Sequence, residues 1–388
     1  MDSVARKRVS HVLMALALIA LALDSSSAEE GSRLLFRQDL STFGYSFHRA
    51  KDDGIVYSFT DLAFLSDDLL LLSVREAQMQ GALPKVHRGG TLKYDNQMQA
   101  QTSADSASTQ LLFNVEQKKL VRAEKLPVRK LQGSVQAAGI GRFLILVSNG
   151  LQLCSLDFHC GPAWPIEYPF YVSPRGTRIV TGGFQFDGEN SKFKFTQQQL
   201  LDTSTFSLLQ TFPPRRPKIV PGDTGLLLED SGAKLQMPGQ DPFLLDLYGS
   251  YMSPEARFLD DRTVIGIRIA GTNHAKAVAV RVDGKELYDI QMKGESANFF
   301  TSVSGTRFGM IEMYSTRLTT ALHVLDWEGS PLNRIKVRVF QIASGKQVFE
   351  TDWGPGDYRG ADILPALSPD GHRLALVRKG ELQVYELP

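Results

Sequence analysis

Seven times along this chain an apolar stretch runs into a tight turn written in Ser, Pro, Asp and Gly, and a second apolar stretch leaves it. The copies are Phe64-Leu65-Ser66-Asp67-Asp68, Ala138-Gly139-Ile140-Gly141-Arg142, Tyr171-Val172-Ser173-Pro174-Arg175-Gly176-Thr177-Arg178, Val220-Pro221-Gly222-Asp223-Thr224-Gly225, Phe258-Leu259-Asp260-Asp261, Ser302-Val303-Ser304-Gly305-Thr306-Arg307 and Leu367-Ser368-Pro369-Asp370-Gly371-His372-Arg373. In such turns Pro presets one dihedral, Gly supplies a positive φ, and Ser or Asp bonds back to the backbone. The neighbouring runs, among them Leu69 to Val74, Arg142 to Val147, Thr263 to Ile269 and Leu374 to Val377, are almost continuously apolar. That is the pattern of strands covered on both faces. No long stretch keeps a helical period.

Marked at Ser66, Gly139, Ser173, Pro221, Asp260, Ser304 and Ser368, the copies recur about every 50 residues. A second hairpin often follows within the interval: Phe113 to Val121, Val280 to Tyr288, and most clearly Val339 to Phe349. Four short strands per repeat is the arithmetic of a propeller blade. The fold class read from the sequence is therefore all-β, a β-propeller of four-stranded blades. Seven blades are preferred. Six or eight stay open, because the first interval is 73 residues and the last is 64. Two β-sandwiches would also use short strands and such turns, but they should show a linker. The best candidate, Phe212 to Pro217, is only a few residues long.

Ser368-Pro369-Asp370-Gly371 through Tyr385-Glu386-Leu387-Pro388 resembles the degenerate WD-repeat-like motif, also found in the propeller domain of the periplasmic component of the Tol system. The hairpin around Ser344-Gly345-Lys346 resembles the turn between third and fourth strands of such blades. The resemblance covers most of residues 55–388 and implies an exported, WD40-like propeller of the Tol type. The C-terminal strand pair, Leu374 to Val377 and Glu381 to Leu387, lacks an outer strand that Arg33 to Asp39 could supply. Residues 29–388 are thus expected to form one propeller, closed by pairing of its N- and C-terminal strands.

Residues 1–28 read as a secretory signal peptide. Arg6-Lys7-Arg8 precede twelve apolar residues, Val12 to Leu23, and Ser26-Ser27-Ala28 supply small residues for cleavage after Ala28. The run is too short for a stable transmembrane helix, which takes about 20 apolar residues. Localisation outside the cytoplasm, periplasmic or extracellular, follows. Without this segment the chain carries 40 basic and 40 acidic residues. That balance argues against nucleic acid or an anionic membrane as partner. In an oxidising compartment Cys154 and Cys160 could close a disulfide. Two buried thiols on one face of a strand are the alternative reading.

Chemistry is sparse. Of seven histidines (His11, His48, His87, His159, His274, His323, His372), no two outside the leader stand at a metal-ligand spacing. The acidic pairs Asp67-Asp68 and Asp260-Asp261 fall in the repeated turn, where Asp caps backbone; Asp52-Asp53 does not. Arg175, Arg178, Arg257, Arg307 and Arg373 recur beside the turns and read as structural. No catalytic, cofactor-binding or metal residue is assigned, and no cofactor is expected. Residues 77–110, polar and Gln-rich, and the aromatic segment Cys160 to Tyr171 depart from the repeat. The expected function is a non-enzymatic, monomeric binding scaffold that engages a protein or a small ligand through loops on one face. The alternative is a propeller-type enzyme: a lyase, a hydrolase or a quinoprotein-dehydrogenase-like protein. It would need three or more His, Asp, Arg or Tyr side chains converging at the central channel.

Overall fold

The apolar runs become strands and the Ser/Pro/Asp/Gly clusters become the turns between them. The computed structural model describes residues 31–43, 45, 48–49, 55–79, 107–127, 135–166, 170–187, 192–214, 218–229, 232–248, 256–269, 275–292, 296–315, 333–355, 365–378 and 380–388. Strand β1 (Arg33–Asp39) precedes the first blade. Blade 1 holds β2 (His48–Arg49), β3 (Ile55–Phe64), β4 (Leu69–Met79), β5 (Ala107–Asn114) and β6 (Lys119–Pro127). Blade 2 holds β7 (Val135–Ala137), β8 (Arg142–Val147) and β9 (Gly150–Ser155). Blade 3 holds β10 (Phe170–Val172), β11 (Arg178–Thr181), β14 (Gln198–Asp202) and β15 (Leu208–Phe212). A separate two-stranded hairpin, β12 (Phe184–Asp187) and β13 (Lys192–Phe195), is inserted between β11 and β14.

Blade 4 holds β16 (Lys218–Pro221), β17 (Leu226–Glu229), β18 (Gly232–Gln236) and β19 (Phe243–Tyr248). Blade 5 holds β20 (Ala256–Phe258), β21 (Thr263–Ile269), β22 (Ala275–Arg281) and β23 (Glu286–Gln291). Blade 6 holds β24 (Ser296–Thr301), β25 (Arg307–Ser315), β26 (Asn333–Gln341) and β27 (Gln347–Pro355). Blade 7 holds β28 (Pro365–Leu367), β29 (Arg373–Arg378) and β30 (Glu381–Glu386), with β1 as its outer strand. The chain is a seven-bladed β-propeller. Among the described residues the only helix is the single turn Ser41–Phe43.

Each of the seven marked turns joins two inner strands of one blade, which is why the repeat counted blades correctly. The long first interval adds no blade. Residues 80–106 join β4 to β5, and those strands pair directly, from Leu69 opposite Asn114 to Val74 opposite Thr109. Residues 316–332 likewise join the paired β25 and β26. Two blades depart from four strands. Blade 1 gains the two-residue β2 at its inner edge. Blade 2 has three strands, and Cys160 to Trp164 occupies the fourth place irregularly: Leu151 and Trp164 exchange N–H···O bonds of 2.8 Å, and the Gly161 N–H donates to the Leu153 carbonyl at 3.0 Å. Pro162 and Pro165 lack the donors that a regular ladder requires.

β1 runs antiparallel to β30, from Arg33 opposite Glu386 to Asp39 opposite Glu381. Seven apolar clusters fill the seven seams between neighbouring blades. A ring of sheets standing face to face therefore shares its core between blades. Because successive strands are antiparallel, connections alternate between the two faces of the ring. On one face, turns such as 65–68, 173–177, 222–225, 302–306 and 368–372 are four or five residues long. The longest connections, 80–106 and 316–332, leave from the opposite face.

Candidate functional site

Three turns share one geometry, Ser-x-x-Gly-x-Arg. In Ser173 to Arg178, Ser302 to Arg307 and Ser368 to Arg373, the Ser N–H donates to the Arg carbonyl at 2.9 Å and the Gly N–H donates to the Ser carbonyl at 2.9–3.1 Å. The Ser hydroxyl accepts from the Arg N–H at 3.0, 3.1 and 2.8 Å. Gly176, Gly305 and Gly371 all take a positive φ, between 69° and 83°, a region that side chains with a Cβ rarely adopt. Each arginine then reaches the next blade. Arg178 donates to the Thr224 carbonyl at 3.0 Å. Arg307 donates to His372 Nδ1 at 3.3 Å and to the Pro388 carbonyl. Arg373 donates to the Asp67 carbonyl, to Asp68 at 2.8 Å and to Glu116 at 3.0 Å.

The acidic residues of the turns work in the reverse direction. Asp223 of blade 4 accepts from Ser173 Oγ at 2.6 Å, Thr177 Oγ1 at 2.5 Å and the Arg175 N–H at 3.1 Å, all in blade 3. Asp67 accepts from the Asp370 N–H at 2.8 Å, and Asp261 pairs with Arg175 at 3.0 Å. Asp260 accepts from the Arg262 N–H at 2.7 Å. Burial would raise the Asp370 carboxyl, but hydrogen bonds from Ser368 Oγ and the His372 N–H hold it below the usual carboxylate range. Asp223 and Asp67 thus tie turns of neighbouring blades, Asp261 reaches a turn two blades away, and Asp260 holds its own turn. Asp52-Asp53 lies outside the described residues.

Buried polar groups elsewhere are also committed to the frame. The Asp61 carboxylate accepts from the Val135 N–H at 3.1 Å, Gln198 Oε1 from the Ile219 N–H at 3.0 Å, and Glu229 Oε1 from the Ala256 N–H at 2.7 Å. In each case a blade satisfies a donor on the innermost strand of the next blade, a group that would be costly to bury unpaired. Sequence reading missed these residues because their partners lie 21 to 74 positions away.

Cys154 and Cys160 are joined by a disulfide that staples β9 to the irregular outer segment of blade 2. Trp164 at the end of that segment stacks on Phe206 of blade 3, with centroids 6.2 Å apart and rings 8° from parallel. Trp164 remains 41% exposed. His159 and His372 are both exposed, and they stand in different blades. His11, His87, His274 and His323 lie outside the described residues, as does the His48 side chain. Among the described residues no group of three His, Cys, Asp or Glu could hold a metal.

The central channel holds a cavity of about 60 Å³, bounded by the innermost strands and adjoining turns of blades 3 to 6. Its wall is mostly apolar and includes Val172, Val220, Phe258, Leu259 and Phe299. Of the side chains an enzyme would gather there, Tyr171 and Arg257 are present. Arg257 differs from the other four arginines of the repeat. Its guanidinium makes no hydrogen bond or ion pair with the described residues, and Nε is fully enclosed without a partner. Burial lowers its pKa, opposed by the charges of Tyr171 and Glu229. Lys218, which faces Glu229 across the β16–β17 register, places Nζ 5.6 Å from the centre of the Tyr171 ring. This arrangement can bind negative charge. It offers no paired acid and base.

No known protein family and no curated protein matches the chain. Among solved structures, the chain is similar to the WD40 domain of Pan2 from Neurospora crassa (10% identity, 92% of this chain and 96% of that one covered, TM-score 0.48). It is also similar to an oligogalacturonate lyase in complex with manganese (11% identity, 91% and 98% covered, TM-score 0.48). A third is BamB from Moraxella catarrhalis (12% identity, 90% and 100% covered, TM-score 0.38). The assignment as a seven-bladed propeller rests on this chain's own strand order and closed ring of cores.

Proposed function

We propose that this protein is an exported, non-enzymatic propeller that engages a protein partner, as a monomer, through connections on the face opposite the tight turns. The observation that carries the reading is the channel cavity: a mostly apolar wall in which, among the described residues, Tyr171 and Arg257 alone could contribute to the convergent set an enzyme needs. Export is supported by the leader-like residues 1–28 and by the Cys154–Cys160 disulfide, which suits an oxidising compartment. Among the described residues no helix is long and apolar enough to cross a membrane. Charge balance disfavours nucleic acid as the partner.

Crosslinking with mass spectrometry tests this reading. A variant with residues 80–106 replaced by a short Gly/Ser linker should lose its crosslinked partner at unchanged Tm, while changes at Lys118 and Lys285 on the turn face should leave it. Loss only with the turn-face variants overturns the choice of face. A lyase or hydrolase turnover abolished by Arg257→Ala overturns the scaffold reading.

A further inference from the structure

The arginines of the repeat separate into two kinds. Arg178, Arg307 and Arg373 are each bonded to the next blade, and Arg175 pairs with Asp261 two blades on. Arg257 is turned into the channel cavity with an enclosed Nε and no bonded partner among the described residues. A guanidinium is always protonated and carries five donors in a planar fork. Arg257 is partly exposed, but its Nε is shut off from water with no acceptor, which is unfavourable for a charged donor.

We propose that this cavity is a binding site for a small organic carboxylate, held by Arg257. Lys218 and Glu229 face each other across the β16–β17 register and do not line the cavity, which leaves Arg257 as the one charged side chain of its described lining. A single guanidinium pairs with a single carboxylate. A carboxylate matches the guanidinium fork with two parallel N–H···O bonds. A sulfate or phosphate dianion would bring a second negative charge that no other cation of the described lining meets. Size and lining select the remainder of the ligand. One water needs roughly 10–15 Å³ of cavity, so about 60 Å³ admits several non-hydrogen atoms. Phe258, Phe299, Val172 and Val220 offer an apolar wall for a short aliphatic or aromatic body. The site is independent of the partner-binding face proposed above.

Thermal unfolding of the full chain in propionate, benzoate, sulfate and chloride at matched ionic strength tests the site. Propionate or benzoate at saturation should raise Tm by about 2–4 °C over chloride, because a ligand bound only to the folded state stabilises it. Sulfate should match chloride. Arg257→Met should abolish the carboxylate shift and leave the ligand-free protein folded with a Tm no lower than before, since it removes an enclosed Nε that no acceptor meets. Arg257→Lys keeps the charge without the fork and should retain less than about half of the shift. The proposal is overturned if neither carboxylate exceeds chloride, if sulfate equals them, or if the shift survives undiminished in the folded variants.

Discussion

Among the described residues, fourteen buried side chains form one apolar cluster where blade 7 meets blade 1, and four do where blade 3 meets blade 4. The larger cluster includes Leu72, Leu111, Phe113, Val377, Leu382 and Val384, and the smaller consists of Val180, Leu200, Ile219 and Leu226. At the smaller seam polar bonds take over: Asp223 binds Ser173, Thr177 and the Arg175 N–H, Arg178 binds the Thr224 carbonyl, and Gln198 binds the Ile219 N–H. Connectivity is one element of the difference and not the whole of it, since the consecutive blades 5 and 6 share thirteen buried residues. Blades 3 and 4 are consecutive in sequence, joined by residues 213–217, so little entropy is lost in bringing them together. Blade 7 meets blade 1 only after the whole chain has gone round, and a large apolar seam offsets that long closure.

The largest expected effect is therefore at the closing seam. Phe113 is fully buried there and packs edge-on against Phe43, with centroids 5.9 Å apart. Phe113→Ala should destabilise the protein by about 4 kcal/mol in denaturant unfolding, from lost burial plus the cavity left behind. A loss below about 2 kcal/mol would mean that the seam can relax and that apolar contact is not what closes the ring.

The smaller seam should respond to polar substitution first. Asp223→Ala removes the acceptor for two hydroxyls and one N–H, at a cost of about 2 kcal/mol. Ile219→Val, in the same seam, should cost only about 1 kcal/mol. If the order reverses, the seam is held by its four apolar side chains, and the contrast between the two regions disappears.

Much of this frame was legible in the sequence because it repeats locally. Ser173, Ser302 and Ser368 each sit three residues before a Gly and five before an Arg, and every bond that defines the turn lies within that span. The inter-blade clasp needs only that the same turn recur at the same height in the next blade. Arg257 could not be distinguished from Arg307 or Arg373 by such reasoning, because all three are basic residues close to a turn. Arg257 precedes its turn on an innermost strand, where no acid among the described residues of the next blade meets it. The acceptors Asp61, Gln198 and Glu229 were hidden for the same reason, since each serves a strand of another blade. The outer segment of blade 2 was obscured by Pro162 and Pro165, which interrupt the alternation that marks a strand.

Acid should loosen the closing seam through its turns. The Asp370 backbone joins blade 7 to its neighbours, its N–H donating to Asp67 of blade 1 and its carbonyl accepting from Thr306 of blade 6, while its carboxylate fixes that turn by accepting from Ser368 Oγ and the His372 N–H. Its carboxyl is held below the usual range in the folded protein. Its contribution to stability is therefore fully present above the unfolded value, near pH 4, and is lost as pH falls through the lower folded value. Asp370→Asn should flatten the decline of Tm between about pH 4 and pH 2 relative to the unmodified chain. An unchanged acid limb would move the titrating group elsewhere in the ring.

The smallest effect expected at this seam is the loss of an ion pair on β1. Arg33 pairs with Glu386 at 2.7 Å, yet its side chain is 72% exposed. Arg33→Ala should cost no more than about 0.5 kcal/mol, because an exposed pair gains little beyond the entropy of holding both side chains in place. β1 also brings Leu35 and Phe36 against the cluster that contains Phe113, and Phe36 lies 6.4 Å from that ring. Phe36→Ala should thus exceed Arg33→Ala severalfold in the same unfolding measurement. Equal losses would assign the docking of β1 to charge and backbone pairing, and the apolar seam would then end at β30.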